Sequence, residues 1–395
     1  MRKSFLSCCL ILLAAILATM LVMGLSACDN GNAADTTTSE STTATEPATT
    51  DASPVETEPA TTAPDSESVT TEPATTEPDE TEPAVEEMVF VSNGDGSCYV
   101  SNIGTYKKTS VVIPETSPAG DKVTAIGDEA FAGCDDITSV VIPEGVTEIG
   151  EWAFYGCEKL TSVSIPSGVT AIGDYAFASC KQLAELSLPQ GLVSIGDNVF
   201  RSCTSLERLD IPASVQHIGQ AVFQNCEALA YVTVDDGNTY YTDGDGNCLI
   251  EVAANTLIAG CKASVIPEGV TAIASQAFDG CSGLVNLTLP GTVTEVGKCA
   301  FRNCTSLVSL NIPEGVTTIY EETILNCSSL VDLYLPKSLT KICSWNSQGC
   351  ASLANIYYTG SQSKWNSMQR MIFGNHEINA VAVVHYKYNV DTAAS

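Results

Sequence analysis

The chain has 395 residues and a formal net charge of −30 at pH 7, from 47 acidic and 17 basic residues. It has no basic stripe to contact phosphates, so a nucleic-acid partner is not expected. The three histidines are scattered and no serine lies in a nucleophile motif, which argues against an enzyme. Nothing in the sequence calls for a cofactor.

Residues 1–27 have the features of an export signal. Met1-Arg2-Lys3 is followed by an uncharged, largely apolar stretch that ends at Leu25-Ser26-Ala27-Cys28. This ending resembles the bacterial lipobox, in which the cysteine receives a diacylglyceryl group. The resemblance implies that Cys28 is the lipid-attachment residue and holds the protein at a membrane. The alternative is an uncleaved transmembrane helix, because the apolar stretch is long enough to span ~30 Å of hydrocarbon.

Residues 28–87 are predicted to form a disordered, acidic stalk. From 29 to 87 there is no Lys, Arg, Phe, Tyr or Trp, and Glu-Pro-Ala-Thr-Thr occurs at 46–50, 58–62 and 72–76. Low hydrophobicity, one sign of charge and frequent proline keep such a segment extended. It contains 16 of the 47 acidic residues, so residues 88–395 retain 31 acidic residues against 15 basic ones.

Beyond the stalk, one pattern returns with a 23-residue period: Ile-Pro-x-x-Val-x-x-Ile-Gly-x-x-Ala-Phe-x-x-Cys. A fixed short period predicts a solenoid, in which each unit is one coil that buries its apolar face against its neighbours. The expected fold is mainly β with short turns, in about nine to ten coils of right-handed, curved form. The Phe-x-x-Cys ends of the pattern, with two fading copies last, are Phe131/Cys134, Phe154/Cys157, Phe177/Cys180, Phe200/Cys203, Phe223/Cys226, Phe278/Cys281, Phe301/Cys304, Ile324/Cys327 and Ser347/Cys350.

Within one coil the pattern predicts two short strands. Val163-Ser164-Ile165 alternates apolar and polar residues, and Pro166 ends this strand because it cannot donate to a ladder. A second extended piece runs to Ile172, and Gly173 turns the chain so that Phe177 points inward. Stacked coils should then form an axial column of phenylalanines.

The nine repeated cysteines are expected to be buried thiols that cap backbone carbonyls. Stacking leaves their Cα–Cβ vectors parallel, which is a poor match to the ~90° torsion of a disulfide. The absence of a Cys-x-x-Cys pair argues against zinc. A disulfide, if present, is expected among the cysteines outside the column, which are Cys98, Cys248, Cys261, Cys299 and Cys343.

With this pattern, the chain resembles the BspA-type leucine-rich repeats of bacterial surface proteins from Val89 to Tyr388. Residues 88–125 resemble the N-terminal lead-in of that family and residues 354–395 its C-terminal cap, with 88–395 as one repeat domain. The resemblance implies a surface protein used in adhesion, one that binds host matrix proteins, other bacteria or glycans.

A longer interval between Cys226 and Cys281 predicts a hairpin insertion at 234–262. Tyr240-Tyr241 and Leu249-Ile250 flank an Asp-Gly turn, which is a strong hairpin signal. The turn also has the alternate spacing of a calcium loop at Asp243, Asp245 and Asn247. We favour the plain hairpin, because Ala254 stands where such a loop needs its closing glutamate.

The outward positions of the strand before Ile-Pro provide the predicted recognition surface. Small polar residues and tyrosines suit a wet interface, because tyrosine supplies contact area at low entropic cost. The alternative is that most of these residues merely solvate the sheet. The candidate ligand-binding residues are Arg208, Asp210, Tyr231, Thr233, Asn286, Asn311, Asp332, Tyr334 and Tyr357.

The sequence therefore predicts an extracytoplasmic, surface-exposed and lipid-anchored protein with one binding head. A Gram-positive envelope and a monomeric state are expected. Two other functions remain open: a structural spacer of the cell envelope without a specific ligand, and an accessory protein that captures polysaccharide.

Overall fold

The computed structural model describes residues 87–370 and 373–388. The predicted signal, the predicted lipid anchor Cys28 and the predicted stalk up to residue 86 lie outside the described residues. So do residues 371–372 and 389–395 of the predicted cap. Among the described residues, no helix combines the length and apolarity needed to cross a bilayer.

Short strands dominate the described residues. The first twelve are β1 (Val89–Ser92), β2 (Ser97–Asn102), β3 (Ser110–Val112), β4 (Lys122–Ile126), β5 (Ser139–Val141), β6 (Glu148–Ile149), β7 (Ser162–Ser164), β8 (Ala171–Ile172), β9 (Ser194–Ile195), β10 (Arg208–Ile211), β11 (His217–Ile218) and β12 (Tyr231–Val234). The others are β13 (Tyr241–Thr242), β14 (Cys248–Glu251), β15 (Thr256–Gly260), β16 (Ala272–Ile273), β17 (Asn286–Thr288), β18 (Glu295–Val296), β19 (Ser309–Asn311), β20 (Thr318–Ile319), β21 (Asp332–Leu335), β22 (Lys341–Ile342), β23 (Asn355–Tyr358), β24 (Gln369–Arg370) and β25 (Val383–Tyr386).

Most regular coils supply one strand before Ile-Pro and one before Ile-Gly, as the alternation of apolar residues predicts. In the coil at 183–203 the first strand is reduced to a single bridge between Glu185 and Arg208. Strands of successive coils pair in parallel, one repeat apart, for example Ser139 with Ser162 and Ile149 with Ile172. The first ladder contains β3-β5-β7, β10-β12 and β17-β19-β21-β23-β25. The second ladder contains β1-β2-β4-β6-β8-β9-β11, β13-β14-β15-β16-β18 and β20-β22-β24.

The predicted phenylalanine column is present between the two ladders. Rings from Phe131 to Phe223 stack with centroids 5.1 to 6.2 Å apart, and Phe278 and Phe301 stack at 5.5 Å. Phe154, Phe177 and Phe200 have no exposed surface. The column therefore forms the apolar core of each coil.

A cysteine column runs beside the phenylalanines, and its thiols donate to backbone carbonyls as predicted. In seven of the nine repeated cysteines, Sγ lies 3.0–3.2 Å from the carbonyl oxygen of the residue 26 positions earlier, at the end of the preceding coil. The pairs are Cys157–Phe131, Cys180–Phe154, Cys203–Phe177, Cys226–Phe200, Cys304–Phe278, Cys327–Phe301 and Cys350–Ile324. None of the 14 cysteines among the described residues forms a disulfide.

We expect the column thiols of the folded protein to react slowly with a thiol reagent. Burial raises the pKa of Cys203, Cys281 and Cys350 to about 12, and only the thiolate is a good nucleophile. Cys134 begins the column, is partly exposed and should react first, although burial raises its pKa to about 11. Titration with Ellman's reagent before and after denaturation, without reductant, measures this. Few reactive thiols after denaturation would show that the column is bridged instead.

The predicted insertion adds strands to the second ladder. β13 pairs antiparallel with β14, β14 pairs antiparallel with β15, and β15 then resumes parallel pairing with β16. On the phenylalanine side, the coil that ends at Cys226 stacks directly on the coil that ends at Cys281. Asn225 N donates to Asp279 O at 3.1 Å across this junction. The buried core accordingly divides into two clusters, from Met88 to Cys261 and from Cys248 to Ile378.

Gly260 makes the resumption of regular stacking possible. It ends β15 directly against Phe278, and a Cβ atom at this position would overlap the Phe278 ring. A glycine is needed here because backbone and ring approach each other closely.

Among residues 87–370 and 373–388, helix occurs only in the last coils. Helix α1 spans Gln362–Ser367. Its N-cap is Ser361, whose hydroxyl accepts a hydrogen bond from Lys364 N. A π-helical segment follows at Glu377–Val381, and β25 then joins the first ladder. The chain is thus a β-solenoid of about 11 turns of about 23 residues. This slightly exceeds the nine to ten predicted, because the lead-in and the insertion also supply strands that pair with the regular coils.

Candidate functional site

The nine predicted ligand-binding residues all lie on the first ladder, but in two separate sheets. Arg208 and Asp210 are on β10, and Tyr231 and Thr233 are on β12. Arg208 Nε contacts Asp210 Oδ1 at 2.9 Å, and the Thr233 hydroxyl donates to the same carboxylate. Tyr231 remains 55 % exposed. In this first patch the charged pair neutralises itself, which leaves Tyr231 as its main free feature.

The other five predicted residues lie beyond the insertion, on four adjacent strands. They are Asn286 on β17, Asn311 on β19, Asp332 and Tyr334 on β21, and Tyr357 on β23. The parallel register places Asn311, Tyr334 and Tyr357 in one column along the sheet. Asn286 and Asp332 lie in the column two residues earlier. This second patch brings the predicted tyrosines into contact.

Four aromatic side chains form what we call the tyrosine ladder: Tyr334, Tyr357, His385 and Tyr388. Tyr334 stacks on Tyr357 and Tyr357 on His385, each with centroids 4.7 Å apart and planes 15° from parallel. Tyr388 is tilted against both tyrosines, with its centroid 4.7 Å from Tyr357 and 5.7 Å from Tyr334. The contacts hold the rings in one arrangement on the outward side of the sheet.

A row of polar groups runs beside the tyrosine ladder. Asn355 Nδ2 donates to Asp332 Oδ1 at 2.9 Å, so the Asn355 Oδ1 atom is left as an acceptor. His385 Nε2 lies 3.1 Å from that oxygen and therefore donates to it. The row fixes the His385 ring and places a carboxylate next to the tyrosines.

The phenols of Tyr334 and Tyr357 stay protonated well above neutral pH, because the pKa of each is raised. Burial, followed by the nearby Asp332 carboxylate, raises the pKa of both Tyr334 and Tyr357. Each hydroxyl can therefore donate a hydrogen bond to a ligand as well as accept one. With Asp332, the patch offers donors, acceptors and apolar ring edges close together.

Sequence reasoning missed His385 and Tyr388 as members of this site. β25 pairs with β23 in a register that departs from the repeat, as in Tyr357 with His385, because α1 and the π-helical segment intervene. A search at the regular period passes over this strand. The alternation of apolar or aromatic with polar residues from Val384 to Tyr388 was the available signal for it.

The weak calcium alternative falls on a turn whose first carboxylate is engaged with the backbone. Asp243 Oδ2 accepts from Val234 N at 3.0 Å and Oδ1 from Asp245 N at 2.9 Å. Asp245 and Asn247 have left-handed φ values of 57° and 52°. Within residues 87–370 and 373–388, no group of three or more His, Cys, Asp or Glu side chains is placed to hold a metal ion. The local contacts are those of the hairpin between β13 and β14.

Stacked parallel coils with a repeated buried Phe and Cys define a repeat solenoid of the leucine-rich type. The chain belongs to the BspA type leucine rich repeat region family, whose model matches residues 109–243 and 259–379 in 6 copies. None of the curated proteins compared matches the chain.

Several solved bacterial structures are similar to this chain. A leucine rich cell surface protein from Faecalibacterium prausnitzii A2-165 is 29 % identical, over 71 % of this chain and 95 % of its own, with a TM-score of 0.44. A leucine-rich repeat protein from Eubacterium ventriosum is 24 % identical over 68 % and 75 %, with a TM-score of 0.48. The pneumococcal vaccine antigen PcpA is 19 % identical over 77 % and 86 %, with a TM-score of 0.58, and shares the fold.

Proposed function

We propose that this chain is a bacterial surface protein that binds a protein ligand through the outward side of its first ladder, with the tyrosine ladder as the centre of contact. Membership of the BspA-type family supports a place at the cell surface. The sequence at residues 25–28 supports attachment to the outer side of a membrane through a lipid on Cys28, and Asp29 with the Thr/Glu/Pro stalk suits a Gram-positive cell. Adhesion to a host or bacterial surface protein is the role we infer.

The stacked tyrosine ladder beside Asp332 and Asn355 carries this proposal. Contacts of about 4.7 Å hold the rings before any ligand arrives, so little side-chain entropy remains to be lost on binding. Tyrosine is enriched among the few residues that supply most of the energy of a protein interface.

The ring geometry favours a protein over a polysaccharide. Tyr334, Tyr357 and His385 stack face to face, so the faces that a sugar would use are largely taken by neighbouring rings. The edges and hydroxyl groups point outward, where they suit the mixed polar and apolar surface of a protein. A spacer without a ligand has no need for such an arrangement.

Replacing both central tyrosines should abolish most of the binding. In a screen of host matrix proteins, bacterial surface proteins and glycans, we expect the protein to bind at least one protein saturably. The variant Tyr334→Asn/Tyr357→Asn should weaken that binding at least tenfold, since hot-spot residues lose this much or more. Asparagine copies Asn311 in the same column, so the sheet should be retained. Surface plasmon resonance measures the affinity.

Two further variants locate the effect. Tyr240→Ser removes a tyrosine that is 47 % exposed and lies outside both patches, so it should leave the affinity unchanged. Tyr231→Ser tests the first patch separately and copies Ser162 of the same ladder. An unchanged affinity for the double variant would refute the role of the tyrosine ladder. Saturable binding to glycans alone would favour polysaccharide capture, and no binding across the panel would favour the envelope spacer.

A further inference from the structure

A second aromatic cluster lies on the turns before the phenylalanines, away from the first ladder. One position in each of these turns has a left-handed backbone, with φ between 51° and 63°. Its occupants are Glu129, Trp152, Tyr175, Asn198, Ala221, Gln276, Cys299, Glu322 and Trp345. Left-handed φ costs most side chains about 1–2 kcal/mol and is easiest for Gly and Asn. Trp152 and Tyr175 are therefore unfavourable residues for forming the turn.

Trp152, Tyr155 and Tyr175 together form what we call the aromatic corner. Trp152 stacks on Tyr175 with centroids 4.2 Å apart and planes 8° from parallel, while Tyr155 meets Trp152 at 4.7 Å and 63°. All three residues are partly exposed. Phe154 and Phe177 of the same turns are fully buried in the phenylalanine column. The aromatic corner therefore lies outside the apolar core.

The turns around the aromatic corner are strongly acidic. The four turns at 127–132, 150–155, 173–178 and 196–201 contain one basic residue, Arg201, and five acidic ones. The acidic residues are Asp128, Glu129, Glu151, Asp174 and Asp197.

Backbone contacts hold three of these carboxylates in place. Asp128, Asp174 and Asp197 each accept a hydrogen bond of 2.7–2.9 Å from a backbone N–H of the next coil. Glu129 and Glu151 are exposed. The corner therefore has a negative field built from fixed and mobile carboxylates.

The corresponding turns of the later coils lack this combination. Trp345 occupies the same left-handed position and is 45 % exposed, but its turn at 343–348 contains no acidic residue. Glu322 at the same position is engaged with Arg302 at 2.8 Å. Partly exposed, stacked rings with several acidic neighbours are thus a local property of residues 128–198.

We propose that the aromatic corner is a second binding site, one that takes the Arg or Lys side chains of a basic segment of a partner protein. A guanidinium or ammonium group is attracted to the face of a Trp or Tyr ring within about 6 Å of its centroid. The five carboxylates raise the local concentration of such a cation. A neutral sugar would gain nothing from those charges. The site does not depend on the tyrosine ladder.

The test uses a fluorescent Arg-Gly repeat peptide and the full-length protein, with anisotropy as the readout. We expect Trp152→Asn/Tyr175→Asn to weaken peptide binding at least fivefold. The change leaves every carboxylate in place, so a loss cannot come from net charge. Asparagine occupies the same position at Asn198, with φ of 56°, and the turn should form as before. Trp345→Asn is the matched control, because it removes an exposed tryptophan from the same position of a turn without acidic residues, and it should bind like the wild type.

A second pair of variants separates local charge from total charge. Glu129→Gln/Glu151→Gln and Glu268→Gln/Glu295→Gln each remove two exposed acidic groups, but only the first pair adjoins the corner. We expect the first pair to weaken binding several-fold more than the second. The proposal is overturned if the Trp152→Asn/Tyr175→Asn variant binds within twofold of the wild type, or if both charge pairs have equal effects. Equal melting temperatures exclude misfolding, and neither result bears on the tyrosine ladder.

Discussion

Phe177→Ala is expected to lower the free energy of unfolding by about 3–5 kcal/mol, because a large buried ring is deleted and the cavity cannot collapse. The Phe177 ring is fully buried, with centroids 5.3 Å from Phe154 and 6.2 Å from Phe200. Both neighbours are held by their own coils, so neither can move into the space.

Urea unfolding followed by circular dichroism measures this loss. Phe373→Ala is a suitable control, because Phe373 is 67 % exposed and its removal should change the urea midpoint little. A solenoid can unfold in segments, so the midpoint and the steepness of the transition should both be compared. A Phe177→Ala midpoint equal to that of the control would contradict the stacked column.

Asp279→Ala should destabilise the protein by a similar amount, about 3–5 kcal/mol, because it removes the main partner of the buried Arg302 charge and leaves only Glu322. Asp279 is 2 % exposed and binds Arg302, which is 7 % exposed. Arg302 Nε lies 3.1 and 3.0 Å from the two carboxylate oxygens, and Nη1 reaches Glu322 Oε2 at 2.8 Å. Burial alone would lower the pKa of Arg302, but Asp279 more than offsets this and the net shift is upward.

The double variant Asp279→Ala/Arg302→Leu removes both charges of the pair. It therefore separates the cost of an unpaired buried charge from the loss of the ion-pair contacts themselves. The new residues copy other coils, in which Ala178 directly follows Phe177 and Leu325 directly follows Ile324. We expect it to recover part of the stability, since a buried ion pair replaced by apolar groups is often neutral. A double variant that unfolds as early as Asp279→Ala would instead show that the network is stabilising in itself.

This network also joins the coils on the two sides of the insertion. Gln224, in the coil before it, donates through Nε2 to Asp279 in the coil after it. The two apolar clusters meet here, so a polar contact supplements the hydrophobic packing.

The regular part of the fold could be predicted because one period governs it. Ile-Pro, Ile-Gly, Phe and Cys all recur at the same interval, and parallel stacking turns that interval directly into strand register and side-chain columns. The thiol donors could be predicted as well, because parallel Cα–Cβ vectors disfavour bridges.

The remaining features could not be predicted, because they depend on where the period fails. The pairing of β14 with β15 needs contacts within the insertion, and the close approach of Gly260 to Phe278 needs the three-dimensional path of the chain. At the site, Tyr334 and Tyr357 follow from the period, whereas His385 joins them from a strand whose register is shifted. The buried Asp279–Arg302 pair looks like two surface residues until the column is assembled.

The regular spacing of the cysteine column would allow whole repeat units to be gained or lost. Every Sγ–carbonyl contact joins a residue to one 26 positions earlier, and every regular strand pair joins residues one repeat apart. Duplication or deletion of the repeat unit at residues 181–203, beyond the aromatic corner, would restore all of these contacts with a new neighbour of the same kind. The stack would grow or shrink by one strand spacing, ~4.8 Å, without any other adjustment. Gene-level slippage in this stretch could therefore tune the separation between the aromatic corner and the tyrosine ladder in small, uniform steps.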